Sequence, residues 1–146
     1  MTVREVTHGT PDYEALIDLR RRVLRQPLGL DFTPEELAAE ADQKHFGLYQ
    51  DGRLTAVCAA IPLQDGARKI RQVAVEPKEQ GKGYGAALMK AVEERTAEIV
   101  LHARDTAVPF YLRLGYAIEG EPFEEVGIPH RRMRKRLGTL PDPVSS

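Results

Sequence analysis

The chain has 146 residues, of which 42% are hydrophobic and 29% charged, the size and composition of about one globular domain. Its formal net charge of -1 gives no electrostatic reason to expect nucleic acid or an anionic membrane as a partner. The single cysteine, Cys58, excludes an intrachain disulfide, and the apolar run around it predicts a buried side chain instead of a nucleophile. No stretch resembles a signal peptide or a membrane span, so we expect a cytoplasmic protein.

The N-terminal part of the chain predicts a strand followed by two helices. Residues 2–7 alternate weakly between valine and polar side chains, which is typical of a strand. Thr10 and Pro11 are a cap and a first-turn proline, and the helix after them is expected to place leucines on a buried side and Arg20, Arg21 and Arg22 on a solvated side. A connector, 26–32, leads to a second helix.

The second helix opens with a capping box, Thr33 to Glu36, and is predicted to end near residue 41. Two strands follow, 45–49 and 54–63, joined by Asp51-Gly52, a dipeptide typical of two-residue hairpin turns. A further turn then leads into a central strand over 68–75.

Glycines at three alternate positions, Gly81, Gly83 and Gly85, follow the central strand. The apolar residues after them have helical spacing and predict a helix to about residue 98. A helix that begins in a glycine loop directs several N–H groups and the positive end of its dipole at one point, which favours a phosphate group. The spacing fits neither the P-loop nor the dinucleotide-binding pattern.

The remainder predicts a buried parallel strand over 99–102, a short helix over 107–114 ended by Gly115, and two final strands that begin near residues 116 and 127. The predicted fold is therefore α/β, with a mixed, mostly antiparallel sheet of about six to seven strands and flanking helices. We expect one domain over residues 1–138 and a flexible tail over 139–146.

The string Q-x-x-G-x-G at residues 80–85 resembles the acyl-CoA pyrophosphate loop of the GNAT superfamily of N-acetyltransferases. The preceding V-A-V-E-P looks like that family's fourth strand, and the order of elements matches the family from residue 3 to 137. The resemblance implies a GNAT-like acyltransferase fold with acetyl-CoA as acyl donor and no metal. In the family, backbone groups of the fourth strand bind the pantetheine arm, and here the N–H of Val75 becomes the candidate oxyanion donor. The residues implied in acetyl-CoA binding are Val73, Ala74, Val75, Gln80, Gly81, Lys82, Gly83, Tyr84, Gly85 and Tyr111.

A second string, A-x-x-F-Y-x-x-x-G-Y at residues 107–116, is similar to another GNAT signature. By that resemblance Tyr111 is the general acid for the leaving thiolate, and a phenol with a pKa near ~10 is suited to protonating a thiolate of pKa roughly 8.5. The alternative is a core tyrosine. The chain departs from many relatives at Arg104, where they carry asparagine, and Arg104 is available for a phosphate or the substrate instead.

The residues leave the general base open among Glu124, Glu125, His130, His102 and Asp31. The segment 120–130, with Met133 after it, resembles the C-terminal motif of the ElaA-like GNAT branch, where it lies beside the acceptor cavity, and this favours His130 as a catalytic base. The alternative is a loop histidine that anchors the turn at Pro129. Asp42 and His45 are three residues apart, but no further ligands accompany them, so we expect no metal site.

The last strand is strongly basic, and its alternate arginines are expected to pair across a hairpin with acidic residues. The alternative is binding of an anionic substrate or nucleic acid. The arginines are Arg132, Arg134 and Arg136, and the acidic residues are Glu119, Glu121, Glu124 and Glu125.

The predicted function is transfer of an acetyl group from acetyl-CoA to a primary amine, expected to be that of a small molecule, by direct attack in a ternary complex. Three alternatives are a transferase for a protein lysine or N-terminal amine, a non-catalytic acyl-CoA sensor, and a nucleic-acid-binding module. The resemblance to a family whose members are commonly dimeric, together with Met133 and Leu137 on the last strand, favours a homodimer.

Overall fold

The structure is a computed structural model that describes residues 1–94 and 96–138. The predicted tail, 139–146, lies outside the described residues. The strands are β1 (Thr2–Val6), β2 (Lys44–Gln50), β3 (Arg53–Pro62), β4 (Ala67–Val75), β5 (Glu98–Arg104), β6 (Ala117–Glu125) and β7 (Ile128–Arg136). The α-helices are α1 (Pro11–Arg20), α2 (Pro34–Ala38), α3 (Tyr84–Glu93) and α4 (Val108–Arg113), and a π-helical turn, Arg21–Arg25, continues α1.

The seven strands form one mixed sheet in the order β1-β2-β3-β4-β5-β7-β6, which confirms the predicted α/β fold. Strands β4 and β5 pair in parallel, whereas the pairs β1–β2, β2–β3, β5–β7 and β6–β7 are antiparallel. Two compact units share strand β4. The first unit comprises Met1–Ile61 and Arg71–Val92, and the second comprises Pro62–Ile70 and the chain from Glu93 onward.

The first unit is built on the β2–β3 hairpin and the apolar side of α1. Asp51 and Gly52 both have positive φ, 51° and 77°, as the predicted two-residue turn requires. Cys58 is buried, as predicted. One cluster of buried core residues in this unit comprises Val6, Tyr13, Leu16, Ile17, Leu19, Phe32, Tyr49, Val57 and Ala74. Burial of each large apolar side chain stabilises the fold by roughly 1.5–3 kcal/mol.

The prediction for Arg20 is wrong, because its side chain is fully buried and not on a solvated face. Arg20 follows Leu16 by four residues, so both lie on the same side of α1. The burial is possible because both terminal nitrogens of Arg20 donate to the Glu40 carboxylate, at 2.8 and 2.6 Å. A matched carboxylate offsets the cost of removing the guanidinium from water.

Two helices end earlier than predicted. The capping box of α2 is present, but α2 ends at Ala38, and Glu40 lies in the turn beyond it with its carboxylate on Arg20. Helix α3 ends at Glu93, and Glu98 already belongs to β5, where it pairs with Ala67 on one side and Arg136 on the other. Strand pairing on both sides of β5 therefore prevails over the helical propensity of the local sequence.

The second unit packs β5 between the start of β4 and β7. The parallel register runs from Ala67 opposite Glu98 to Ile70 opposite Leu101. Helix α4 ends before Gly115, whose φ of 95° matches the predicted glycine stop. The alternative that made His130 a loop histidine is wrong, because His130 lies within β7, and the turn that precedes β7 falls at Val126-Gly127.

None of the described helices is long and apolar enough to span a bilayer.

Candidate active site

Strand β4 contains a backbone irregularity just before the segment predicted to bind the acyl donor. Gln72 has φ 57°, in the left-handed region, although it lies inside a strand and is not glycine. Such a residue breaks the regular strand and stores conformational strain, which is common at functional sites. Val73 and Val75, just after it, are half-buried, and Ala74 between them is buried in the core of the first unit.

Three contacts fix the chain where it leaves β4. The N–H of Glu76 donates to the Thr55 carbonyl at 2.8 Å. The guanidinium of Arg22, on the π-helical turn, donates to both oxygens of Glu76 at 2.7 and 2.9 Å, and these hydrogen bonds lower the pKa of the Glu76 carboxyl. The amide of Gln80 donates to the Val75 carbonyl at 3.1 Å. The predicted acyl-donor segment and the glycine loop are thereby held together within the first unit.

The glycine loop has the conformation and the open space that a phosphate needs. Gly81 and Gly83 have φ of 82° and 86°, and a Cβ added at either would meet no atom within 4 Å. Helix α3 begins directly after them, and the N–H of Ala87 donates to the Gly83 carbonyl as its first hydrogen bond. Exposed Lys82 pairs with Glu79 at 2.8 Å. Backbone N–H groups at a helix start and a lysine ammonium are groups that suit anion binding.

Tyr111 lies on α4 in the second unit and is 6% exposed. Its ring makes edge contacts with Phe110 and Tyr116, with centroids 4.9 and 5.7 Å away. The backbone carbonyl of Tyr111 accepts from the N–H of Tyr116 at 3.0 Å, and the Tyr116 hydroxyl donates to Glu93 at 2.9 Å. The aromatic packing fixes the position of the Tyr111 ring.

The second unit also brings three of the five candidate bases into one group. His102 on β5, Glu125 on β6 and His130 on β7 lie together with Phe123 of β6, and we call these four residues the imidazole cluster. His102 Nδ1 lies 2.6 Å from Glu125 Oε1, and His130 Nε2 lies 3.8 Å from Glu125 Oε2. Phe123 makes an edge contact with His102 and a stacked contact with His130, with centroids 4.9 and 5.9 Å away.

The hydrogen bonds of the imidazole cluster fix the tautomer of His130. His130 Nδ1 lies 2.7 Å from the Ile128 carbonyl oxygen, which can only accept, so Nδ1 carries the proton. In the neutral ring Nε2 then holds the lone pair and can accept a proton. His130 is almost fully buried, with 5% of its side chain exposed, whereas 45% of the Glu125 side chain is exposed.

A register irregularity between β6 and β7 decides which residue faces His130. Glu119 pairs with Arg132, and Phe123 pairs with His130, so β6 advances four residues where β7 advances two. Gly120, with φ 78°, lies in this irregularity, and Arg131 donates to its carbonyl at 3.1 Å. Regular pairing would place Glu121 opposite His130, whereas the bulge places Phe123 there, with Glu125 two residues later on the same face of β6.

The remaining candidate bases are placed differently. Glu124 is exposed, on the side of β6 opposite to Phe123 and Glu125. Asp31 lies in the first unit, where Arg21 donates to it at 2.7 Å and lowers the pKa of its carboxyl. Arg104, at the end of β5, is opposite His130 in register.

Among residues 1–94 and 96–138 no three His, Cys, Asp or Glu side chains form a group that could hold a metal ion.

The basic strand β7 is paired mainly within its own unit. Arg132 donates to Glu119 at 3.0 Å, and Arg134 donates to both oxygens of Glu119 and also pairs with Glu98. This confirms the expected pairing across the hairpin for Glu119, whereas Glu125 is recruited to the imidazole cluster. Glu98 was not predicted as a partner, because strand pairing across the sheet places it there. The conformation of Gln72 was not predicted either, because glutamine has no marked preference for positive φ.

Comparison with known proteins agrees with this architecture. A family model described as an acetyltransferase (GNAT) domain matches residues 26–137. The uncharacterized N-acetyltransferase YjcF of Bacillus subtilis (strain 168) is 32% identical over 102 residues, which cover 66% of this chain and 72% of that protein. The structure of Escherichia coli ElaA superposes with a TM-score of 0.77 at 21% identity, over 93% of this chain and 100% of that chain.

A second solved structure, an aminoglycoside 6'-N-acetyltransferase complexed with coenzyme A, superposes with a TM-score of 0.78 at 18% identity, over 97% of this chain and 100% of that chain. At these identities the two solved structures establish the fold alone. The family model covers most of this chain, and the alignment with the Bacillus relative covers most of that protein's length. On this evidence the chain belongs to the GNAT family of acetyltransferases and is an acetyl-CoA-dependent enzyme.

Proposed function

We propose that the protein transfers the acetyl group of acetyl-CoA to the primary amine of a small molecule, by direct attack in a ternary complex. The observation that carries the proposal is the open glycine loop that leads from β4 into α3. The structurally similar aminoglycoside 6'-N-acetyltransferase, which is complexed with coenzyme A, supports both the donor and the class of acceptor.

The residues proposed to bind the acyl donor lie in the first unit. The N–H groups at the start of α3 and the Lys82 ammonium bind the diphosphate of acetyl-CoA, with Gln80, Gly81, Gly83, Tyr84 and Gly85 completing the loop. The backbone of Val73, Ala74 and Val75 binds the pantetheine arm. The N–H of Val75 polarises the thioester carbonyl and stabilises the oxyanion that forms when the amine attacks.

The acid and the base lie in the second unit. His130 Nε2, which holds the lone pair, takes one proton from the incoming ammonium and leaves a neutral amine as the nucleophile. The nitrogen attacks the carbonyl carbon, and the C–S bond breaks as the tetrahedral adduct collapses. Tyr111 protonates the departing thiolate and recovers a proton from the nitrogen of the new amide. One proton is released to solvent in the complete reaction.

A panel of amines with detection of free thiol tests this proposal. With acetyl-CoA we expect saturable thiol release that depends on at least one small alkylamine, and slower release with longer acyl-CoAs. Turnover of peptides carrying a lysine or a free N-terminus, but of no small amine, would favour a protein acceptor. Binding of CoA without transfer to any amine would identify a sensor and contradict the proposed activity.

The loop has its own test. Gly83→Val adds a branched side chain where the phosphate approaches and strains a backbone with φ 86°, so we expect CoA affinity to fall more than tenfold, about 1.4 kcal/mol. Gly9→Val is the matched control, because Gly9 has φ 82° and equally open surroundings in the same unit. Unchanged CoA affinity in folded Gly83→Val protein, or an equal loss in both variants, would contradict the assignment.

The homodimer and the cytoplasmic location stay predictions. Met133, one of the residues that suggested an interface, is fully buried within the chain and is not available to a second copy. Sedimentation at micromolar concentration tests the dimer, which a single species of about 16 kDa would refute.

A further inference from the structure

The 3.8 Å separation between His130 Nε2 and Glu125 Oε2 is too long for a hydrogen bond and has a chemical consequence. In the tautomer fixed by Ile128 the imidazole lone pair on Nε2 and the negative oxygen of Glu125 are both acceptors. Two acceptors held this close to each other are complementary to one group with two N–H donors and a positive charge.

From this arrangement we infer that Glu125 and His130 form the binding site for the acceptor's ammonium group, with His102 as the residue that positions Glu125. The inference rests on the proposed function and extends it, because it defines the acceptor as an alkylamine that arrives protonated. An arylamine, which is neutral at pH 7, lacks the charge that Glu125 would recognise.

The distance suits a single nitrogen. The two acceptor atoms are 3.8 Å apart. If an ammonium nitrogen lies about 2.8 Å from each of them, the acceptor–nitrogen–acceptor angle is about 85°. The tetrahedral angle between two N–H bonds is larger by roughly 25°, so each hydrogen bond bends by only about 12° and stays within the preferred range. The site therefore accepts two N–H groups of one ammonium with good geometry.

The Glu125 carboxylate is held in place by the other histidine. His102 donates from Nδ1 to Oε1 at 2.6 Å, which leaves Oε2 directed at His130. Phe123 contacts both imidazole rings, His102 by an edge contact and His130 by a stacked one, and so helps to fix their positions. The exposed fraction of the side chains, 45% for Glu125 against 5% for His130, means that an incoming amine meets the carboxylate first and the base second.

Two arginines lie opposite the histidines of the imidazole cluster, so binding of an ammonium there depends on the negative charge of Glu125. Arg104 is opposite His130, and Arg132 is opposite His102 and is paired with Glu119. If Glu125 loses its charge, these arginines disfavour a second cation at the same place. Once the ammonium is bound, His130 Nε2 takes one of its protons, and the resulting imidazolium is stabilised by Glu125 while the neutral amine attacks the thioester.

Steady-state kinetics of Glu125→Gln test the site, with Glu124→Gln as the matched control on the opposite face of β6. We expect Glu125→Gln to raise the KM for an alkylamine at least tenfold while the KM for acetyl-CoA stays the same. The ratio of kcat/KM for alkylamine over arylamine should fall by a similar factor. His102→Phe, which removes the donor to Oε1, should raise the alkylamine KM by a smaller factor. Glu124→Gln should leave all of these values unchanged.

An unchanged alkylamine KM in Glu125→Gln, or an equal rise in Glu124→Gln, would overturn the inference. A parallel rise in the KM for acetyl-CoA would do so too, because it would indicate a structural role.

A binding measurement separates this inference from the proposed function. The nitrogen NMR chemical shifts of the His130 and His102 imidazoles should change saturably when propylammonium is added. They should not change with tetramethylammonium, which has a charge but no N–H, or with propanol, which has no charge. The response should be lost in Glu125→Gln. If no amine is acetylated but the shifts respond, the proposed activity fails and the ammonium site stands. If amines are acetylated but the shifts do not respond to propylammonium, the site fails and the activity stands.

Discussion

Each of the two units contains a glutamate held by basic and aromatic side chains, and the two are built in opposite ways. In the first unit, Glu40 is 7% exposed and accepts from Arg20 and from the Tyr13 hydroxyl at 2.9 Å, and His45 Nε2 lies 3.2 Å from the Glu40 carbonyl. We call these four residues the buried network. In the second unit, Glu125 is half exposed. Its Oε2 lies 3.8 Å from His130 Nε2, which is too far for a hydrogen bond between them.

The buried network satisfies the charge of Glu40 within the protein. Burial alone would raise the pKa of the Glu40 carboxyl, but the hydrogen bonds and charge of Arg20 prevail and lower it, so Glu40 stays ionised. Burial and the hydrogen bond to Glu40 raise the pKa of the Tyr13 hydroxyl above its usual range. The network ties α1, the turn after α2 and β2 together, and it satisfies the Glu40 carboxylate although Arg20 Nε and His45 Nδ1 are buried without a hydrogen-bond partner.

The imidazole cluster differs because an acceptor atom remains available on a partly exposed carboxylate. The comparison shows that hydrogen-bond geometry and exposure, not residue type, separate a structural carboxylate from a candidate binding carboxylate. Both groups combine glutamate, histidine and an aromatic ring, so these shared residue types do not distinguish them.

The largest expected effect is on the buried network. Arg20→Met leaves the Glu40 carboxylate buried without its ion pair, and we expect the free energy of unfolding to fall by about 3–5 kcal/mol. Urea unfolding measures it. The double variant Arg20→Met/Glu40→Leu should recover most of the loss, since apolar pairs can replace buried ion pairs. A loss below about 1 kcal/mol in Arg20→Met would show that the pair is dispensable.

The second effect is expected on rate and not on stability. Tyr111→Phe keeps the ring that packs on Phe110 and Tyr116 and removes the hydroxyl, so kcat should fall roughly 10²-fold or more. The free energy of unfolding should change by about 1 kcal/mol or less, and CoA affinity should change little. If this variant turns over at the wild-type rate with chemistry rate-limiting, Tyr111 is a core residue and another group protonates the thiolate.

The third effect is a loss of stability in acid that originates in the buried network. Burial lowers the pKa of His45. Below the unfolded-state pKa of ~6.5, His45 of the unfolded chain therefore binds a proton that folded His45 does not, and the free energy of unfolding falls as the pH is lowered. The lowered pKa of Glu40 adds a loss of the same sign below ~4.3. Urea unfolding at several pH values measures both. His45→Gln should remove the part between pH ~6.5 and 5, and an unchanged slope in that variant would refute the assignment.

The smallest expected effect is the change in the free energy of unfolding caused by Glu125→Gln. Its side chain is half exposed, so the free energy of unfolding should change by less than about 0.5 kcal/mol. The same substitution at Glu40 should cost several kcal/mol, because it leaves the Arg20 charge buried without its partner. Equal costs at the two positions would mean that the distinction between the closed and the open carboxylate is wrong.

Local patterns predicted most of the fold, and long-range pairing accounts for what they missed. Hairpin dipeptides, the capping box at Thr33 and the glycine stop at Gly115 act through neighbouring backbone, and the structure has each of them. The burial of Arg20 was predictable from its four-residue spacing to Leu16, but its charge suggested the opposite face. The end of α3 depends on strands that pair with Glu98 on both sides, which local sequence does not reveal.

The candidate site divides in the same way. Its glycine loop is visible in the sequence, because left-handed backbone favours one residue type. The imidazole cluster is not visible, because it requires three strands and the irregular register between Glu119 and Phe123 to bring His102, Glu125 and His130 together. The five candidate bases could be named from the residue types, but only the register groups three of them.

The open surroundings of Gly81 and Gly83 mean that the folded chain itself does not require a missing side chain at either position. The chain requires only the handedness of the backbone there. A D-alanine introduced at position 83 by chemical ligation would adopt the positive φ without strain and still carry a methyl group. Mirror-image substitution therefore separates two reasons for glycine that ordinary mutagenesis cannot distinguish, the chirality of the turn and the room that a bound phosphate needs.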